Sequence, residues 1–132
     1  MRVIESPKSN VLDNELEIHV LDAPGKGGAN HVYGIRVRGT RENVPAVAPL
    51  TDKYDCVVKF QNGPIQSAAD INGISNEALL AVVLDRFDGF IKGPFGDEYT
   101  VRARNSIHDA LVFMKERTEE RKKRGVEGKH QK

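Results

Sequence analysis

The chain has 132 residues, 39% of them hydrophobic and 30% charged, which fits one globular domain with a real core and excludes a chain disordered throughout. Twenty basic residues face nineteen acidic ones, a formal net charge of +1, so there is no global pull toward nucleic acid or anionic membrane and any anion site must be local.

The first sixty residues read as strands, because apolar residues alternate there and turn formers separate the runs. In ELEIHVLD, Leu16, Ile18 and Val20 point one way and Glu15, Glu17 and His19 the other, the pattern of a half-buried strand. HVYGIRVRG repeats it with Tyr33, Ile35 and Val37 on one face, and the intervening DAPGKGGAN supplies the residues of a long hairpin loop. After a proline-containing connection, YDCVVKFQNGP reads as a third strand centred on Val57 and Val58, ended by Asn62, Gly63 and Pro64. MRVIE is a candidate edge strand, giving an antiparallel sheet of three or four strands. The pattern then changes. NGISNEALLAVVLDRFDGF reads as a helix capped by Ser75, with Leu80, Val83, Leu84 and Phe87 at helical spacing and Gly89 as its end. EYTVRARNSIHDALVFMKERTEERKKR reads as a second, longer helix stopped by Gly125. The expected fold class is α+β: an N-terminal antiparallel sheet over 1–65, a C-terminal antiparallel helical hairpin over 75–125 and a polar tail over 126–132, together one domain.

Most candidate chemistry reduces to ordinary structure. PGKGGAN lacks the spacing of a phosphate-binding loop and joins two strands, so it reads as a hairpin loop. His19, His31, His108 and His130 show no metal-ligand spacing. Asp85, Asp88, Asp97 and Glu98 cluster around the helical hairpin, where carboxylates serve capping and dipole roles. Cys56, the one cysteine, excludes an intrachain disulfide and a multi-cysteine zinc site, and sitting among valines it reads as buried packing. No apolar run reaches membrane-spanning length and MRVIESPKSN lacks the apolar stretch of a signal peptide, so a soluble intracellular protein is expected.

The second helix is the informative part. At about 100° per residue, Ile107, Ala110, Leu111, Met114 and Thr118 form one stripe that runs back through Ala103 to Thr100 and forward to Arg121. Arg117 and Arg124 share a shoulder of that stripe. Glu119 with Lys123 and Glu120 with Arg124 are favourable i,i+4 pairs, and basic residues in the last turn complement the helix dipole. Those effects account for Lys122, Lys123 and one reading of Arg124. They account poorly for Arg121, because a guanidinium on the packing face needs an anionic partner or a route to water. Arg117 and Arg121, one turn apart, have the spacing of a fork for a diphosphate.

FIKGPFGDEYT, followed by IHDAL and RTEERKKRGVEG, resembles the phage Thoeris anti-defence protein family. FQNGPI and NGISNEALLAVVLDRF also resemble family segments, and NHVYGI does so more weakly, so the resemblance covers roughly the C-terminal two thirds of the chain. It implies a protein that captures a cyclic ADP-ribose isomer, the messenger made by bacterial TIR-domain enzymes, in the cytoplasm of the infected host. The messenger would be held without cleavage, so no catalytic residue, metal or cofactor is implied. Phe90 matches the aromatic that stacks on the ligand's base, and Arg117 and Arg121 match the arginines that hold its phosphates. Arg124 joins the candidate set beside them. The family position ten residues after the phenylalanine is commonly asparagine and here is Thr100, whose hydroxyl lacks an amide's paired donor and acceptor, which bears on the preferred isomer.

Geometry adds an expectation of its own. Arg117 is seventeen residues beyond Thr100, roughly 25 Å along a helix, too far for one nucleotide to span from Phe90. The site is therefore expected to join Phe90 and Thr100 of one chain to Arg117 and Arg121 of another, in a homodimer or larger homo-oligomer. The resemblance also leaves open a sponge for cyclic di- or trinucleotides. A nucleotide-hydrolysing enzyme is disfavoured by the lack of a nucleophile, metal set or carboxylate pair, and a nucleic-acid polymer as partner by the balanced charge.

Overall fold

Alternation of apolar and polar residues through the first sixty positions does build a sheet. The computed structural model describes residues 2–5 and 10–125, and the chain falls into two compact units, Met1–Gly63 and Pro64–Lys132, divided at the Gly-Pro step that ends the strand region. In the first unit, β1 (Arg2–Val3), β2 (Leu16–Val20), β3 (Val32–Val37) and β4 (Cys56–Lys59) pair antiparallel in chain order. Ile18 lies opposite Ile35, which in turn lies opposite Cys56, and Val20 opposite Tyr33, itself opposite Val58, so these form one face. Val20, 1% exposed, is its deepest residue. The loop between β2 and β3 is tied by Asp22, whose carboxylate accepts the His31 and Val32 amides at 3.0 and 3.1 Å.

The other face departs from the alternation reading. His19, expected on the solvent side, is only 4% exposed. The residue opposite it is Gly34, and the ring of Tyr54 fills the space that a side chain there would take: a Cβ on Gly34 would lie 2.6 Å from Tyr54 ring atoms. Tyr54 Oη stands 2.8 Å from His19 Nδ1, and Glu17 Oε2 lies 3.3 Å from Nε2. The Arg36 guanidinium sits 5.7 Å from the Tyr54 ring centre. A polar and aromatic layer thus seals this face, tolerable because His19 meets both Tyr54 and Glu17, although Arg36 Nε is buried with Glu17 no nearer than 3.9 Å and without a hydrogen bond among the described residues. Hydrogen bonding to His19 holds the Glu17 carboxyl below its ordinary range against its own desolvation, with help from the Arg36 charge.

Two short helices deliver these residues. α1 (Val11–Glu15) is capped by the Asn10 side chain, which accepts the Asp13 amide at 2.7 Å, and runs directly into β2. α2 (Leu50–Lys53) places Tyr54 at its C-terminal end. Next to it, Asp55 accepts the Val37 amide at 3.0 Å and two donors of Arg41, Nε at 3.1 Å and Nη2 at 2.8 Å. This fork holds the long connection to the sheet, with Arg41 itself in the left-handed region at φ 57°. Neither helix, nor the 3₁₀ turn at Ala68–Asp70, is long enough to display a hydrophobic period. Cys56 is exposed, not buried, because it opens an edge strand paired on one side only.

The second unit is built on α3 (Asn76–Lys92) and α4 (Glu98–Lys123). Ser75 Oγ accepts the Ala78 amide at 3.0 Å, the expected cap. α3 does not stop at Gly89. It continues one turn to Lys92, and Gly93 caps it by donating to the Gly89 and Phe90 carbonyls. An interior glycine costs a helix about 1 kcal/mol, an amount that packing of the half-buried Phe87 and Ile91 on either side offsets. The link between the helices is tight, since a Cβ on Gly96 would lie 2.7 Å from the Ile91 carbonyl. Gly125, at φ 71°, follows the end of α4 as expected. The tail at 126–132 lies outside the described residues. Among those described, no helix is long and apolar enough to cross a membrane.

The Gly34 and Tyr54 contact is directly testable. Gly34→Ala should lower the stability of the sheet unit by about 1–3 kcal/mol, the usual cost of overpacking. Urea unfolding followed by Tyr54 fluorescence and His19 NMR signals would measure it; unchanged stability would mean that the ring does not sit where described.

Candidate functional site

The hairpin of α3 and α4 carries all the candidate ligand residues. Along α4 the less exposed positions include Thr100, Ala103, Ile107, Leu111, Met114 and Thr118, leading to Arg121, the stripe that helical spacing predicts. No residue of α3 is fully buried, and the one buried residue of α4 is Arg121. The helices therefore meet along a single seam. Arg104 Nε donates to Asp88 Oδ1 at 2.9 Å across it and marks the level at which they pass. From that pair α3 extends back about twelve residues to its start, whereas α4 runs on for about nineteen. The last turns of α4 therefore pass the level at which α3 begins.

The five candidate residues fall into two groups. At the connected end, Phe90 stands in the last turns of α3, 38% exposed, with its ring centre 6.1 Å from that of Phe87 in an edge-to-face arrangement and 5.4 Å from the Arg86 guanidinium. Thr100 lies in the first turn of α4. Its amide donates to Asp97 Oδ1 at 2.8 Å, and its hydroxyl reaches the Phe95 carbonyl at 3.5 Å. Asp97 is thus the helix cap, the role expected of a carboxylate there. Hydrogen bonds from the Thr100 amide and then from its hydroxyl hold the Asp97 carboxyl below its ordinary value of 3.8, against some desolvation.

At the far end, Arg117 is exposed, whereas Arg121 is 7% exposed and is not without a partner. The inward reading of Arg121 holds. Arg124 caps the helix and places Nε 2.6 Å from Glu120 Oε1, so the i,i+4 pair read from the sequence is formed. One chain therefore places Phe90 and Thr100 at the connected end of the hairpin and Arg117, Arg121 and Arg124 at the far end, with Thr100 and Arg117 about 25 Å apart along α4. Sequence reasoning missed Arg86, although its position four residues before Phe90 was a usable signal. It also missed the exposed aromatics Phe95 and Tyr99 at the connected end, 73% and 76% exposed. Among the described residues, no group of three His, Cys, Asp or Glu side chains is placed to hold a metal ion.

A curated protein of Bacillus phage SBSphiJ7, named Thoeris anti-defense 1, is 39% identical to this chain over 75 residues. The match covers 57% of this chain and 52% of that protein, so the chain spans about half the length of the relative it matches. No family model matches the chain.

The Asp97 cap carries a pH dependence of fixed sign. Because the folded-state value is depressed, the cap stabilises the start of α4 above the unfolded value and loses that contribution as pH falls through the folded one. Hydrogen exchange at the Thr100 amide, taken relative to the intrinsic rate at each pH, should stay slow through the ordinary carboxylate range and quicken only as pH falls through the depressed Asp97 value. In Asp97→Ala it should be fast throughout, and in Asp97→Asn the step with pH should disappear.

Proposed function

We propose that this chain is a phage protein of the Thoeris anti-defence family, as its likeness to the Bacillus phage protein supports, and that it binds and sequesters a cyclic ADP-ribose isomer without degrading it. The ligand occupies sites between subunits. In each, Phe90 and Thr100 of one chain face Arg117 and Arg121 of another, with Arg124 at the margin.

The observation that carries this reading is the division of the candidate residues between the two ends of one helix. Phe90 offers a partly exposed ring for a base, and Arg117 an exposed guanidinium for a phosphate. About 25 Å of α4 lies between their levels. A symmetric pairing of hairpins brings the unlike ends together twice, giving two equivalent sites per dimer. A second feature supports pairing. The hairpin buries little of its apolar surface, with Val82 59%, Val112 40% and Phe113 67% exposed, and covering such residues is what a second chain would supply.

Complementation tests the subunit arrangement. Phe90→Ala and Arg117→Ala should each abolish high-affinity capture of cyclic ADP-ribose isomers in calorimetry. Mixed and re-equilibrated in equal amounts, the two variants should regain about a quarter of the wild-type capacity, because half of the dimers are mixed and each mixed dimer holds one intact site. No recovery on mixing would place the whole site within one chain. The absence of turnover is tested separately. Heat denaturation of the loaded protein should release the isomer intact, as judged by chromatography, whereas recovery of a hydrolysed product would identify an enzyme.

A further inference from the structure

Arg86 lies one turn before Phe90 on the same face of α3, with its guanidinium carbon 5.4 Å from the Phe90 ring centre. The side chain is exposed. Its nearest acidic neighbours in the sequence are Asp85 and Asp88, but side chains one and two positions away do not share a helix face, and Asp88 already accepts Arg104 Nε at 2.9 Å. Among the described residues the ring of Phe90 is the contact that Arg86 makes, with no ion pair. A cation over an exposed ring is held by only about 0.5–1 kcal/mol. A phosphate, which accepts a guanidinium through two charge-assisted hydrogen bonds, is the stronger partner.

The spacing fits a nucleotide. One helical turn, about 5.4 Å, separates the two positions, the scale on which a ribose separates a base from its phosphate. We propose that Arg86 is a phosphate-binding residue of the Phe90 subsite, so that a single chain recognises the base and the 5′-phosphate of an adenosine 5′-phosphate unit together. This rests on the reading of Phe90 as the base platform and extends it. Arg117 and Arg121 then hold the far phosphate of a diphosphate, and Arg86 the near one. The Asp88–Arg104 pair assists by neutralising the carboxylate two residues before Phe90.

Three probes differing in charge separate this role from mere support of the ring: adenosine, AMP and ADP-ribose, each titrated by NMR into the wild-type protein, Arg86→Gln, Arg86→Lys and Phe90→Ala. Arg86→Gln should weaken AMP and ADP-ribose by about tenfold and adenosine far less, and should flatten the salt dependence of AMP binding. Arg86→Lys should recover part of the loss. Equal weakening of all three probes by Arg86→Gln would show that the residue only buttresses Phe90, and no weakening at all would show that it is a bystander; either overturns the proposal. If Phe90→Ala loses all three probes in that case, the base platform stands without Arg86. If the wild-type protein binds none of them, the platform reading falls and the proposal with it.

Discussion

The level at which the two long helices pass each other governs the second unit of this protein. The Asp88–Arg104 pair marks it, at 2.9 Å and with side chains 41% and 29% exposed. A pair so wet contributes little to stability. Alignment comes from the apolar positions of both helices, which mesh along a single seam, and the surplus length of α4 is left at one end. Phe90 and Thr100 consequently lie near the connection, and the arginines lie on the overhang. Shifting that seam by one turn would slide one set of residues past the other by about 5.4 Å and misplace both halves of the proposed site.

The first unit is held together by different physics. One face of its sheet is an ordinary apolar layer of Ile18, Val20, Tyr33 and Val58. The other is closed by Tyr54 lying across Gly34, with His19 between Tyr54 Oη and Glu17. Buried polar groups in such a layer are costly unless each is satisfied, so the layer specifies one arrangement sharply. The Arg41–Asp55 fork acts at a distance from this layer. It fixes the backbone that leads into β4, and through it the placement of Tyr54.

Much of this was legible in the sequence wherever a periodic pattern was long enough. Strand alternation located β2 and β3, and a stripe through Ile107, Met114 and Thr118 correctly carried Arg121 inward. Alternation failed at His19 because it reports which face a side chain points to and not whether something covers that face; Tyr54, thirty-five residues away, is the cover. Cys56 is exposed against expectation because valine neighbours suggest a central strand, whereas β4 lies at an edge. Gly89 looks like a stop and is not one, because a glycine's local penalty is visible in sequence and the packing that overrides it is not. At the candidate site the residues were named from the resemblance, and their division between the two ends of the hairpin followed from counting along one helix. The contact of Arg86 with Phe90 was not found, since a lone arginine among aspartates reads as surface until its neighbours are seen to face elsewhere.

The length of α4 between the level of Phe90 and the exposed Arg117 also shapes how such a protein would respond to its own abundance. Under the proposed arrangement a solitary chain carries two half-sites and no whole one. Capacity for the messenger would then rise with the square of the chain concentration while chains are scarce, and only linearly once they are paired. A protein working as proposed would be ineffective in trace amounts and would become competent over a narrow interval of synthesis, a threshold set by the affinity of one hairpin for another.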